Sequence, residues 1–197
     1  TMGNLTKNEE KALLMLFKEI TTHHNANTLS KALNISRVGT MKMLKKLEKK
    51  DILVSKKIGK STVYNINLKD DYVRDLMFFL LSSEANNFKR WKEEFKNLFK
   101  GEKTVLLYGS TIKDYSKAKD IDIMIIKEKS EGKEMYKILS EKQETLPKKI
   151  HEIVLTPKEF VDNIRERQTA IINIVKEAVV LYGQEKYVRI IKNVTSI

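Results

Sequence analysis

The chain of 197 residues is 41% hydrophobic and carries 38 Lys and Arg against 26 Asp and Glu, a formal net charge of +12; it can build one domain or two small ones, and its cationic excess favours a polyanionic partner such as nucleic acid. With no Cys, disulfides, thiolate metal sites and cysteine nucleophiles are excluded. The apolar runs at Leu76 to Leu81 and Ile121 to Ile126 fall short of the roughly 18 residues a membrane-spanning helix needs, and no cleavable signal pattern is seen, so the expected location is cytoplasmic.

Charge is concentrated early: residues 1–68 hold 13 Lys and Arg against 5 Asp and Glu, a net +8. Thr6 or Asn8 is the expected cap of a helix over KNEEKALLMLFKEI, whose Leu13, Leu16, Phe17 and Ile20 recur at helical spacing. After the polar break TTHHNAN, Thr28 is expected to cap TLSKALN, and Ser36 a third helix over RVGTMKMLKKLEKKD. There Val38, Met41, Leu44 and Leu47 form an apolar stripe, with Arg37, Thr40, Lys42, Lys45, Lys46 and Lys49 around the rest. ILVSKKIGKSTVYNINL then predicts a hairpin turning at Ile58-Gly59-Lys60-Ser61.

Three helices followed by a hairpin resemble the winged helix-turn-helix domain, with TLSKALNISRVGTMKMLKKLEKKDIL matching its two central helices and IGKS its wing tip. The resemblance implies DNA binding by residues 1–68. The third helix would present its cations to phosphates in a groove, and Lys56, Lys57 and Lys60 would add charge from the wing. The same pattern also suits a helical packing module with a solvated lysine face.

Residues 69–100 contain no Pro and no Gly and repeat apolar positions at Leu76, Phe79, Leu80, Phe88, Trp91, Phe95 and Leu98. They predict a helical connector, in one piece or broken near Ser82 to Asn86. Its aromatic side suits packing on a domain or on a second subunit, and a homodimer is the expected assembly.

Residues 101–197 alternate strands and helices: strands at Thr104 to Leu107, Ile121 to Ile126 and Lys149 to Leu155, and helices across Glu134 to Lys142, from Lys158 and from Thr169. The whole chain is therefore expected to be α+β. In the second strand Asp120, Asp122 and Met124 share one face, and Ile121, Ile123 and Ile125 share the other. Two carboxylates about 7 Å apart on one face repel unless a divalent cation lies between them. Oxygen-only ligands favour Mg²⁺ or Mn²⁺ over Zn²⁺. Upstream, Tyr108-Gly109-Ser110 ends the preceding strand with a residue that permits close backbone approach and with a hydroxyl suited to a phosphate.

An apolar-Gly-Ser sequence, nine residues, then Asp-apolar-Asp-apolar resembles the polymerase beta nucleotidyltransferase superfamily, in size its minimal branch; IVLTPKEF and EAVVLYGQEKY are also similar to those domains. The resemblance implies that Gly109 and Ser110 engage the triphosphate of an NTP substrate while Asp120 and Asp122 hold Mg²⁺ or Mn²⁺. It also implies a third carboxylate on a neighbouring strand, for which Glu152 is the candidate. Glu152 shares its strand face with Ile150 and Val154, a register that equally suits an edge residue. The loop TIKDYSKAK departs from the family pattern in lacking Gly and Arg, which leaves Lys113, Lys117 or Lys119 to supply positive charge. His23, His24 and His151 receive no role.

The expected function is metal-dependent transfer of an NMP from an NTP to a hydroxyl, coupled to DNA binding. The alternatives are a transcriptional regulator that senses nucleotide without turnover, and, by family resemblance, an antitoxin paired with a HEPN-type toxin.

Overall fold

In the computed structural model, which describes residues 5–129 and 132–195, helix α1 (Lys7–Lys18) begins at a capping box. The Thr6 hydroxyl accepts from the Glu9 N–H, and the Glu9 carboxylate accepts from the Thr6 N–H, so two otherwise orphaned donors are satisfied. Ala12, Leu13, Leu16 and Phe17 form its buried face. Helix α2 (Ala26–Leu33) is capped by Asn25, three residues before the expected cap Thr28. Asn25 accepts from the N–H groups of Asn27 and Thr28, and Thr28 reaches back to the Asn25 N–H. Asn34 closes the helix in the left-handed region at φ 53°, a conformation Asn tolerates better than most residues.

Ser36 caps α3 (Arg37–Lys49) as expected, accepting from the Gly39 N–H. The buried face of α3 is Thr40, Leu44 and Leu47, whereas Val38 and Met41 are 59% and 42% exposed. The expected stripe is thus rotated. Thr40 can occupy the packing face because its hydroxyl donates to the Ser36 carbonyl at 3.0 Å, which removes the cost of burying it. Strands β1 (Leu53–Ile58) and β2 (Ser61–Ile66) pair antiparallel with Ile58 opposite Ser61. Gly59 opens the two-residue turn at φ +57°, the position where a tight hairpin favours Gly. The backbone of His24 bridges Tyr64, adding one residue of pairing to the hairpin.

The chain is α+β and divides into two compact units, Thr1–Leu80 and Leu81–Ile197. The division falls inside helix α4 (Asp71–Ala85), so the segment 69–100 contributes to both units. A 3₁₀ turn at Asn86–Phe88 separates α4 from α5 (Lys89–Glu94), close to the expected break. No helix among the described residues is long and apolar enough to cross a membrane.

The second unit is built on strands β3 (Thr104–Tyr108), β4 (Asp120–Ile126), β5 (Lys149–Leu155) and β6 (Val179–Tyr182), in the order β5-β4-β3-β6. Pairing is antiparallel on both sides of β3 and parallel between β4 and β5. Helix α6 (Ser110–Lys113) follows β3, and α7 (Gly132–Thr145) makes the crossover from β4 to β5. Helices α8 (Pro157–Arg165), α9 (Thr169–Glu177) and α10 (Gln184–Thr195) complete the unit. Strand β6 has no counterpart among the expected strands. One sheet face carries Val105, Leu107, Ile121, Ile123, Ile125 and Ile150, buried with Trp91, Phe95, Leu98, Met135 and Leu139. On the other face Leu106 and Met124 are also fully buried, and α8 and α10 pack against the sheet strands.

Candidate functional site

Asp120 opens β4, and the alternation expected for this strand is present: Ile121, Ile123 and Ile125 are buried in the core while Asp120 and Asp122 are half-buried on the opposite face. The antiparallel ladder sets Tyr108, the last residue of β3, opposite Asp122. Gly109 then leaves the strand at φ +75°, so close to Asp122 that a Cβ there would lie 2.3 Å from its Oδ2. Glycine is required twice over, by the backbone angle and by the carboxylate. Thr111, buried and not anticipated from the sequence, donates its hydroxyl to the Asp120 carbonyl at 2.9 Å and ties the turn to the start of β4. Ser110 between them is exposed.

The third member of the group is a histidine. Parallel pairing sets His151 beside Asp122, and its Nδ1 lies 3.2 Å from Asp120 Oδ2 and 3.8 Å from Asp122 Oδ1. One ligand atom from each of Asp120, Asp122 and His151 falls within 4.8 Å of the others, so the three can hold a metal ion. Glu152 pairs with Ile123 and therefore lies on the other side of the sheet, exposed on its edge. The structure brings Asp120 and Asp122 together but does not bring Glu152 to them. The donor set is consequently two carboxylates and one imidazole rather than oxygen alone. The sequence did contain a signal for this: Ile150 and Val154 belong with the isoleucine face, which turns His151, of opposite parity, toward the aspartates.

Burial raises the Asp122 carboxyl above its ordinary range, and the neighbouring Asp120 charge adds to the shift, which His151 partly opposes. Burial, followed by the charges of Asp122 and Asp120, pushes the Tyr108 phenol up to about 12. A cation at this end of β4 would relieve the repulsion.

The loop between α6 and β4 is held by local and distant contacts. Asp114 accepts from the Ser116 N–H and hydroxyl at 3.0 and 2.6 Å and pairs with Lys117 at 3.2 Å. Lys113 pairs with Glu177 at 2.9 Å. Lys119 is exposed and has no ion pair among the described residues. Lys148 donates to the carbonyls of Tyr115, Ser116 and Ala118, and its ammonium lies 4.2 Å from the Tyr115 ring centroid. The Arg90 guanidinium is also 4.2 Å from that ring. No pattern in the sequence announces such a clamp, because its acceptors are backbone carbonyls about thirty residues away. Trp91 is buried, in edge contact with Tyr115 at 5.1 Å and stacked near Phe95 at 6.1 Å.

In the first unit Arg37, Lys42, Lys45, Lys49, Lys56, Lys57 and Lys60 are exposed. Thr40 leaves this set, being fully buried and hydrogen-bonded to its own helix. Lys46 is exposed in part, but its ammonium is bound at 2.7 Å to Glu9, which is 2% exposed. Burial pushes the Glu9 carboxyl up, but its hydrogen bonds to Lys46 and Thr6 outweigh that and hold it below its ordinary value. Lys46 is therefore a structural partner first. Val38 and Met41 stand exposed on the same helix as these cations.

Comparison with protein-family models, with curated proteins and with solved structures gave no match to this chain.

Proposed function

We propose that the chain is a DNA-binding protein of winged-helix type whose second unit, of nucleotidyltransferase type, takes a metal-bound nucleoside triphosphate and transfers its NMP to a hydroxyl acceptor. The observation that carries this reading is the close approach of the Gly109–Ser110 turn to the carboxylate of Asp122, which puts a candidate phosphate-binding turn beside a candidate metal site. In the reaction the acceptor oxygen bonds to the α-phosphorus, the bond to the bridging oxygen breaks, pyrophosphate leaves and the hydroxyl proton passes to solvent. Asp120 and Asp122 would hold a divalent ion that supplies charge neutralisation for the triphosphate. Gly109 gives the phosphates close access to backbone, and Ser110 offers its hydroxyl. In the first unit the support is the exposed row of Arg37, Lys42, Lys45 and Lys49 beside a hairpin bearing Lys56, Lys57 and Lys60.

A second reading, nucleotide sensing without turnover, is favoured by one observation: among the described residues, the group around Asp120 and Asp122 contains an imidazole and no third carboxylate. Incubation with α-³²P-labelled NTPs and Mn²⁺ separates the two. Covalent labelling of the protein or of an added acceptor, lost in Asp120→Asn/Asp122→Asn, supports transfer. Retained nucleotide on a filter with no covalent label supports sensing, and no nucleotide binding in any metal overturns both.

A further inference from the structure

We propose that Asp120, Asp122 and His151 form a three-donor site for a divalent first-row transition ion, Zn²⁺ or Mn²⁺, and that His151 makes the site discriminate against Mg²⁺. The proposal deepens the metal–nucleotide reading by naming the ion, and it rests on that reading only for the ion's use.

The geometry comes from the backbone. Parallel pairing of β4 with β5 fixes His151 beside Asp122, and the two strands are in register along their whole lengths, so the placement does not depend on a loop. An ion about 2.0–2.2 Å from each donor keeps its donors about 3–4.4 Å apart. The imidazole Nδ1 is 3.2 Å from one carboxylate oxygen and 3.8 Å from the other. With all three donors within 4.8 Å of one another, side-chain rotation alone can close them on one ion.

The chemistry then selects among ions. Mg²⁺ favours an all-oxygen octahedron and gives up its waters reluctantly, whereas imidazole suits Zn²⁺, and Mn²⁺, although hard, is a transition ion that accepts a nitrogen donor more readily than Mg²⁺ does. A site with two carboxylates alone would favour Mg²⁺ or Mn²⁺ over Zn²⁺ without choosing between the first two. Adding a nitrogen donor biases it toward Mn²⁺ and Zn²⁺, and three protein donors leave positions for water or for phosphate oxygens. Half-exposure of His151 and partial exposure of both aspartates give the ion a route in from solvent.

The alternative is that His151 only hydrogen-bonds Asp120. The experiment uses the full chain without nucleotide, so its outcome is separate from that of the labelling experiment. Mn²⁺ is titrated and followed by loss of the free-ion electron paramagnetic resonance signal, and the bound ion is examined by pulsed methods for ¹⁴N modulation. The expected result is one bound Mn²⁺ with imidazole ¹⁴N modulation, not displaced by a tenfold excess of Mg²⁺. His151→Gln should abolish the modulation and weaken Mn²⁺ by at least about tenfold, the loss that even removal of an outer-shell partner brings. Absence of Mn²⁺ and Zn²⁺ binding overturns the proposal, as does bound Mn²⁺ without ¹⁴N modulation or Mg²⁺ competing on equal terms. The ¹⁴N measurement is made on the unmodified chain, so a poorly folded variant does not rescue the idea.

Discussion

Gly109 has no room for a side chain, since a Cβ would meet Asp122 Oδ2 at 2.3 Å and the backbone sits at φ +75°. Gly109→Ala must move the turn or the carboxylate, and strain of this kind costs about 1–3 kcal/mol. The expected outcome is a lower melting temperature together with weakened Mn²⁺ binding; a melting temperature and affinity equal to the parent's would contradict the packing described. Asp122 gives the opposite sign for stability. Its folded carboxyl titrates above the ordinary 3.8 because of burial and the Asp120 charge. The folded state therefore holds that proton more tightly than the unfolded chain. Stability is lost as pH rises from the unfolded value through the folded one, and at neutral pH the ionised group works against the metal-free fold. Asp122→Asn should raise the metal-free melting temperature at pH 7, with the gain shrinking below pH 4, while removing Mn²⁺ binding. A melt series with and without metal checks both halves. The aspartates were legible in the sequence because alternation in β4 is strict, with three buried isoleucines fixing its parity. His151 was not, because a third carboxylate is the expected complement of an aspartate pair and Glu152 is the acid of that strand, although Ile150 and Val154 already mark its face as apolar.

Among the elements, the loop from Asp114 to Lys119 depends on a residue outside itself. Lys148 binds three of its carbonyls and lies over the Tyr115 ring. Lys148→Met keeps an unbranched side chain only one atom shorter and removes the charge and the donors. The amides of residues 115–118 should then exchange faster with deuterium, and, on the proposed function, nucleotide affinity should fall while affinity for Mn²⁺ at the proposed site on β4 and β5 stays within about twofold, well short of the tenfold expected for a lost ligand. Unchanged exchange would mean that local bonds from Asp114 suffice. Helix and strand positions were mostly readable, since caps, the Ile58-Gly59-Lys60-Ser61 turn and apolar spacing act locally. The misses share a physical cause. The rotation of α3 depends on Thr40 satisfying its hydroxyl within the helix, and β6 is a four-residue strand defined by its pairing with β3. Neither is visible in a periodicity.

At the scale of the whole molecule, the positive charge of the first unit predicts salt-dependent DNA binding. Each phosphate contact removed should lower the slope of log affinity against log salt by about 0.9. Neutralising Arg37, Lys42, Lys45 and Lys49 together should therefore flatten the slope by up to about 3.6 and leave the melting temperature near that of the parent. Lys46 belongs outside that set, because removing it strands the buried Glu9 carboxylate and would confuse unfolding with lost contacts. Fluorescence anisotropy over a salt series measures this, and an unchanged slope would remove α3 from the proposed DNA face. The sheet of the second unit ends at β5, whose outer backbone has no partner strand among the described residues. An open strand of that kind, seven residues long, invites another copy to add on in β fashion. Lys149, His151 and Glu152 are exposed along it, so an approaching strand meets hydrated side chains rather than an apolar ribbon. Glu152, the expected metal ligand, thus stands as a charge on an open sheet edge, the kind of residue that discourages edge-to-edge pairing.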